Sequence, residues 1–161
     1  MLAREIGQIL SLPVIHLDRL YWEPGWVHSQ PEIFRMRVTQ AISGDRWVTD
    51  GNYAGRTGDI RLPRADAIIW LEPPRWLSMA RVIRRMLRKS ESERADLPVG
   101  CTEQINGDLP SFLAEIWAFN RRTRPRIEAQ IEKYAATAQI IRLRNIPEIS
   151  AFLASLDERR P

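Results

Sequence analysis

Two short apolar runs, each closed by an acid and a turn, constrain this chain more than anything else in it. Val14-Ile15-His16-Leu17-Asp18 and Trp47-Val48-Thr49-Asp50-Gly51-Asn52-Tyr53 are too short for amphipathic helices and apolar enough to be buried on both faces. Leu12 to Leu17 and Arg46 to Asp50 are therefore expected as parallel strands, each ending on its aspartate. Ala65 to Leu71, followed by the Pro73-Pro74 turn, reads as a third strand, and Ile140 to Leu143 as the last.

Helical patterns fill the intervals. Leu2, Ile6, Ile9 and Leu10 share one face of an opening helix. Ser29-Gln30-Pro31-Glu32 has the form of a capping box, starting a helix with Ile33, Phe34, Val38, Ala41 and Ile42 inward and Gly44 as its stop. After Pro74 a helix places Met79, Val82, Ile83 and Met86 on one face and Arg81, Arg84, Arg85 and Arg88 on the other. Residues 89–110 are polar, contain Gly100 and Gly107, and read as a lid-like loop. Asp108 would cap a following helix with Phe112, Leu113, Ile116 and Trp117 inward, which delivers Arg121, Arg122, Arg124 and Arg126 around a kink at Pro125. Asn145-Ile146-Pro147-Glu148 caps a closing helix whose inner face is Ile149, Phe152, Leu153 and Leu156. Strands alternating with such helices predict an α/β fold, a parallel sheet covered on both faces, in one domain over 1–161.

Composition narrows the function classes. With 161 residues the chain is long enough for one well-buried domain. It shows neither an apolar run long enough to span a bilayer nor a secretory leader, so a cytoplasmic protein with no membrane partner is expected. The lone Cys101 leaves no internal disulfide and no multi-cysteine metal site. The net charge of +4 is carried by arginine, since Lys89 and Lys133 are the only lysines. Arginine makes bidentate phosphate contacts that lysine does not, although a biased codon usage produces the same asymmetry.

Ligands of parallel sheets bind beyond the carboxyl ends of the strands, where Asp18 and Asp50 are expected together. A carboxylate there holds Mg2+ through water, accepts a hydrogen bond from a substrate hydroxyl, or simply caps the next turn. Gly51 lets the backbone turn sharply, and Asn52 and Tyr53 add polar groups. The two arginine clusters, Arg81 to Arg88 and Arg121 to Arg126, either face solvent or close over a polyphosphate across the loop. His16 and His28 have no metal-ligand spacing. Six tryptophans suit core packing, with Trp22 and Trp26 also placed to wall a flat ring.

The run of His16-Leu17-Asp18, Tyr21-Trp22 with Pro24-Gly25-Trp26, Asp50-Gly51-Asn52-Tyr53, Leu62-Pro63-Arg64-Ala65-Asp66 and Ile69-Trp70-Leu71, then an arginine-rich helix, resembles the small adenylate-kinase-like P-loop proteins of the DNA topology modulation (FlaR) type. That resemblance implies a three-layer P-loop NTPase fold, ATP and Mg2+ as cofactors, and a small phosphoryl acceptor. It matches Asp18 to the substrate-side acid, Asp50 to the acid near the magnesium, held through water, Arg81 and Arg85 to the start of the lid and Arg121, Arg122 and Arg124 to its far side, facing the transferring phosphates; Trp22, Asn52 and Tyr53, read from their own chemistry, are expected beside Asp18 at the acceptor. The chain departs from the family in one respect: neither lysine follows a glycine, so it contains no Gly-x-x-x-x-Gly-Lys loop. The family's central first strand and phosphate loop would precede Met1, so the native product is expected to start upstream and these residues alone to transfer little phosphate. A DNA-binding protein that lays its arginine faces on phosphate backbones is the competing expectation, as is association through exposed strand edges.

Overall fold

The structure, a computed structural model, describes residues 2–87, 114, 117–119 and 121–158. It is a mixed α/β chain in which, among the described residues, the parallel strands form two separate pairs and no continuous sheet. The order is α1 (Leu2–Leu10), β1 (Val14–His16), α2 (Leu17–Tyr21), β2 (Trp22–Glu23), β3 (Val27–His28), α3 (Pro31–Ala41), β4 (Val48–Asp50), α4 (Ala54–Arg61), a 3-10 turn (Leu62–Arg64), β5 (Ala67–Leu71), α5 (Arg75–Leu87), α6 (Arg124–Tyr134), β6 (Gln139–Leu143) and α7 (Ile146–Asp157). β1 pairs with β4 in the register Val14 to Val48, Ile15 to Thr49 and His16 to Asp50. β5 pairs with β6 from Ala67 opposite Gln139 to Leu71 opposite Leu143. β2 and β3 form a small antiparallel hairpin whose turn uses Gly25 and Trp26, both with positive φ.

Each parallel pair carries its own core. Leu17, Tyr21, Phe34 and Val38 pack with Ile15, Leu20, Trp22 and Tyr53 beside the β1–β4 pair. Leu62, Ile131 and Ala135 pack with Ile68, Trp70, Ile127, Tyr134 and Ala138 beside the β5–β6 pair. Helix packing joins the two halves, α4 against α6 and α1 against α7. Among the described residues no helix is long and apolar enough to cross a membrane.

Several expected elements change on the way to the structure. β1 stops at His16 and Asp18 enters the first turn of α2, because Leu17 turns into the core, where it is fully buried. Ser29 does not cap α3. Its hydroxyl donates to Glu23 and to the Leu20 carbonyl, its own N–H is bound to Tyr21, and Gln30 takes the cap position. On α3 the buried line is Phe34, Val38 and Ile42, spaced by one turn; Ile33 and Ala41 flank that line and stay exposed. Pro125 opens α6 where a kink was expected, since a residue without an N–H costs nothing in a first turn. Trp76 and Trp117, expected in the core, are 68% and 57% exposed. Asp108, Phe112, Leu113, Ile116 and residues 89–110 lie outside the described residues. The Asn145 cap forms as expected: its side chain accepts from the Glu148 N–H while Glu148 accepts from the Asn145 amide and the Arg144 N–H.

Helix α1 reaches the sheet through one glycine. A Cβ built on Gly7 falls 2.2 Å from Val14 Cγ2 and 3.0 Å from the Leu12 carbonyl, so the helix and β1 meet backbone to side chain. Replacing Gly7 by Ala is expected to lower unfolding free energy by about 2 kcal/mol or more, read from urea melts. Trimming Val14 to Ala in the same chain should return part of that loss, whereas an additive double variant would show that the contact is not the cause.

Candidate functional site

The register of the β1–β4 pair decides what stands at its carboxyl edge. His16 and Asp50 are ladder partners, and the His16 Nδ1 bonds Asp50 Oδ2 at 3.1 Å. The His16 side chain is 9% exposed and that of Asp50 47%, so a nearly buried imidazole steadies a carboxylate that faces solvent with Oδ1 unpartnered among the described residues. At the next residue, Gly51 has φ of +127° and a Cβ there would lie 3.0 Å from Leu17 Cβ, so the chain turns sharply at the one residue that allows it.

That turn brings Tyr53 back over Asp18. The Tyr53 hydroxyl donates to Asp18 Oδ1 at 2.6 Å, and its ring lies among Tyr21 at 4.7 Å and Phe34 at 5.0 Å. Burial, then the hydrogen bond to the Asp18 carboxylate, push the Tyr53 phenol well above its ordinary range. Trp22 packs on this cluster, edge-on to Tyr21 at 5.1 Å and against His28 and Trp26. Three of the four expected acceptor residues, Asp18, Trp22 and Tyr53, therefore meet. The fourth, Asn52, lines a cavity of about 490 Å³ together with Tyr53, Arg56, Thr123, Arg126 and Gln130.

The arginines divide. Arg124 is tied to Glu72 at 2.8 Å and to Glu128 at 3.0 Å, and its guanidinium lies over the Trp70 ring together with that of Arg142. Glu72, 15% exposed, also receives Arg142, so this set is an ion-pair network at the end of β5. Arg121 and Arg122 are helical and exposed just before Thr123, with no ion pair among the described residues. Arg81 and Arg85 lie within α5, their side chains outside the described structure. Arg56 and Arg126 reach the cavity. Sequence reasoning missed Arg56 because α4, Ala-Gly-Arg-Thr-Gly-Asp-Ile-Arg, has two glycines and no apolar stripe; tertiary packing and a bidentate clamp of Arg35 on Asp59 hold it. Arg126 was in view as part of a basic run, without a partner element to aim it.

Arg61, on the last turn of α4, is only 8% exposed, yet it meets just two hydroxyls: Nε donates to Thr57 and Nη1 to Thr49. Burial lowers its pKa to about 10. Among the described residues no carboxylate reaches it.

For a metal, the donors are sparse. No group of three or more His, Cys, Asp or Glu side chains among the described residues could hold an ion. Asp50 alone, with Oδ1 open, suits Mg2+ held through water, because Mg2+ keeps most of its own waters. No family model matches the chain, and no curated protein or solved structure matches it.

Two substitutions test this electrostatic picture. Arg61→Met is expected to raise unfolding free energy by about 1–3 kcal/mol, because a buried guanidinium without a counter-ion costs more than a thioether of similar length; a lower melting temperature would refute it. Tyr53, whose pKa is raised on folding, supports stability below the ordinary phenol pKa near 10 and loses that support as pH climbs above it. Wild type should therefore lose stability above about pH 10 more steeply than Tyr53→Phe in parallel denaturation series.

Proposed function

We propose that this chain is the acceptor-binding side of an ATP-dependent phosphotransferase of the adenylate-kinase-like P-loop type. The observation that carries the reading is the meeting of Asp18, Tyr53 and Trp22 beside Asp50, at the carboxyl end of one parallel strand pair and next to a cavity bordered by two arginines. Acids and a hydrogen-bonded phenol on one strand rim, with cations opposite, suit a reaction that depends on positioning and charge neutralisation. The finer fold follows from the same reading: a three-layer sheet in which a further strand lies between the β4 and β5 edges, bridging two pairs that here have separate cores.

Within that reading Asp18 orients the acceptor hydroxyl through Oδ2, its Oδ1 being fixed by Tyr53. Trp22 and Tyr53 form an apolar wall, and Asn52 donates or accepts at the cavity mouth. Asp50, steadied by His16, would hold Mg2+ through water; the ion, when bound, spreads the negative charge of the phosphates. The residues do not fit the triphosphate itself. Its cradle needs a glycine-rich loop and a lysine, and the sequence contains no such motif.

Calorimetry with Mg-ATP tests the proposal, using this chain and a version extended upstream by the codons that precede Met1. The 161 residues should bind Mg-ATP in the millimolar range or not at all, and the extended chain at least about a hundredfold more tightly. Asp50→Asn in the extended chain should remove the Mg2+ dependence. Equally tight binding by both chains would place the nucleotide elsewhere. Duplex DNA serves as a control ligand: tight binding to it, weakening steeply with salt, would favour the nucleic-acid function instead.

A further inference from the structure

Among the described residues Arg61 is the only charged residue that is buried, and the phosphotransferase reading gives it no part. Its guanidinium is a fixed fork of N–H donors. Nε gives its hydrogen to Thr57 at 3.1 Å and Nη1 gives one to Thr49 at 3.3 Å, so the other Nη1 hydrogen and both on Nη2 have no acceptor among the described residues. Every fully buried polar side-chain atom among those residues does have a partner. Nη2 is therefore the part of Arg61 that still meets solvent.

The acids on the same two elements are turned elsewhere. Asp59 shares α4 with Arg61 but points to the far side of the helix, where Arg35 clamps it at 2.9 and 2.6 Å. Asp50 follows Thr49 directly on β4, and successive strand side chains point to opposite faces, so its carboxylate stands across the β1–β4 pair beside His16. The hydroxyls add donors and no charge. Thr57 Oγ1 accepts from Nε and donates to the Tyr53 carbonyl at 3.3 Å, while Thr49 Oγ1 accepts from Nη1 and its own hydrogen has no acceptor among the described residues. Water can satisfy open N–H groups, yet it brings no negative charge, and a guanidinium with a pKa of about 10 is still protonated at neutral pH. Nη1 and Nη2 each keep a hydrogen to give, the pairing that two oxygens of one oxyanion complement.

We infer that Arg61 and Thr49 form a binding site for one small oxyanion of the inorganic phosphate type, gripped by the open Nη hydrogens and by the Thr49 hydroxyl. The site lies on the other face of the strand pair from the Asp50 carboxylate and does not depend on the phosphotransferase reading. Its effect is on the fold. Arg61 belongs to α4 and Thr49 to β4, so the anion ties helix to strand and stabilises the folded chain alone.

Urea melts of the 161-residue chain at constant ionic strength, with sodium chloride replaced stepwise by inorganic phosphate, test it. At phosphate about ten times its dissociation constant, the wild-type folding constant should rise about tenfold over the chloride series, and that of Arg61→Met by less than about twofold. The stability advantage expected for Arg61→Met in chloride should therefore close as phosphate rises. Binding of phosphate at other arginines and its general salting effect move both chains alike, so they drop out of the comparison. Thr49→Val removes one donor at nearly the same shape and should weaken the phosphate response about threefold or more. Arg4→Gln, which loses the same charge on the exposed side of α1, should respond as the wild type does. An equal gain in wild type and Arg61→Met would overturn the inference. If Arg61→Met does not fold, a Thr49→Val chain with an undiminished phosphate response overturns it equally.

Discussion

A parallel ladder only three residues long sets the geometry on which the rest of the candidate site depends. Its register puts His16 opposite Asp50, and a shift by one residue would send that carboxylate to the other face of the pair. Such a short ladder has few main-chain bonds to hold it. The register is instead fixed by what packs on either side: Leu17 and Phe34 fully buried beyond one end, Gly7 fitted against Val14 at the other. Through Gly51 the same register determines where Tyr53 returns, and so where Asp18 finds its partner.

The division of the core has energetic weight. Two small clusters, each beside one strand pair, bury fewer large side chains than a single cluster would, and Leu71 and Ile140 on the β5–β6 pair remain 47% and 46% exposed. The halves communicate through helices. α4 leans on α6 with Gly58 at the contact, where a Cβ would lie 3.4 Å from Gln130 Oε1. The cavity lies along this same helix contact, so its shape depends on how α4 and α6 are held together.

What could be read from the sequence follows how local the cause is. The Asn145 cap was legible because donor and acceptor are three residues apart, and the strands around Val48 and Ile68 because apolar runs of that length have few other uses. Asp18 and Asp50 were placed on a common rim, though not with their partners, since the Tyr53 and His16 bonds span 35 and 34 residues. Helix α4 was illegible for a physical reason: its own propensity is poor and tertiary contacts hold it. Arg56 became visible only once that helix existed. Ser29 shows the opposite failure, a good local capping signal overruled by contacts with Glu23 of the hairpin, Leu20 of α2 and Arg37 of α3.

The positive charge of this molecule is almost wholly arginine, and at the cavity it is entirely so. Arginine presents its charge as a rigid, planar fork of donors and not as a point, so the positive border that Arg56 and Arg126 give the cavity has direction as well as sign.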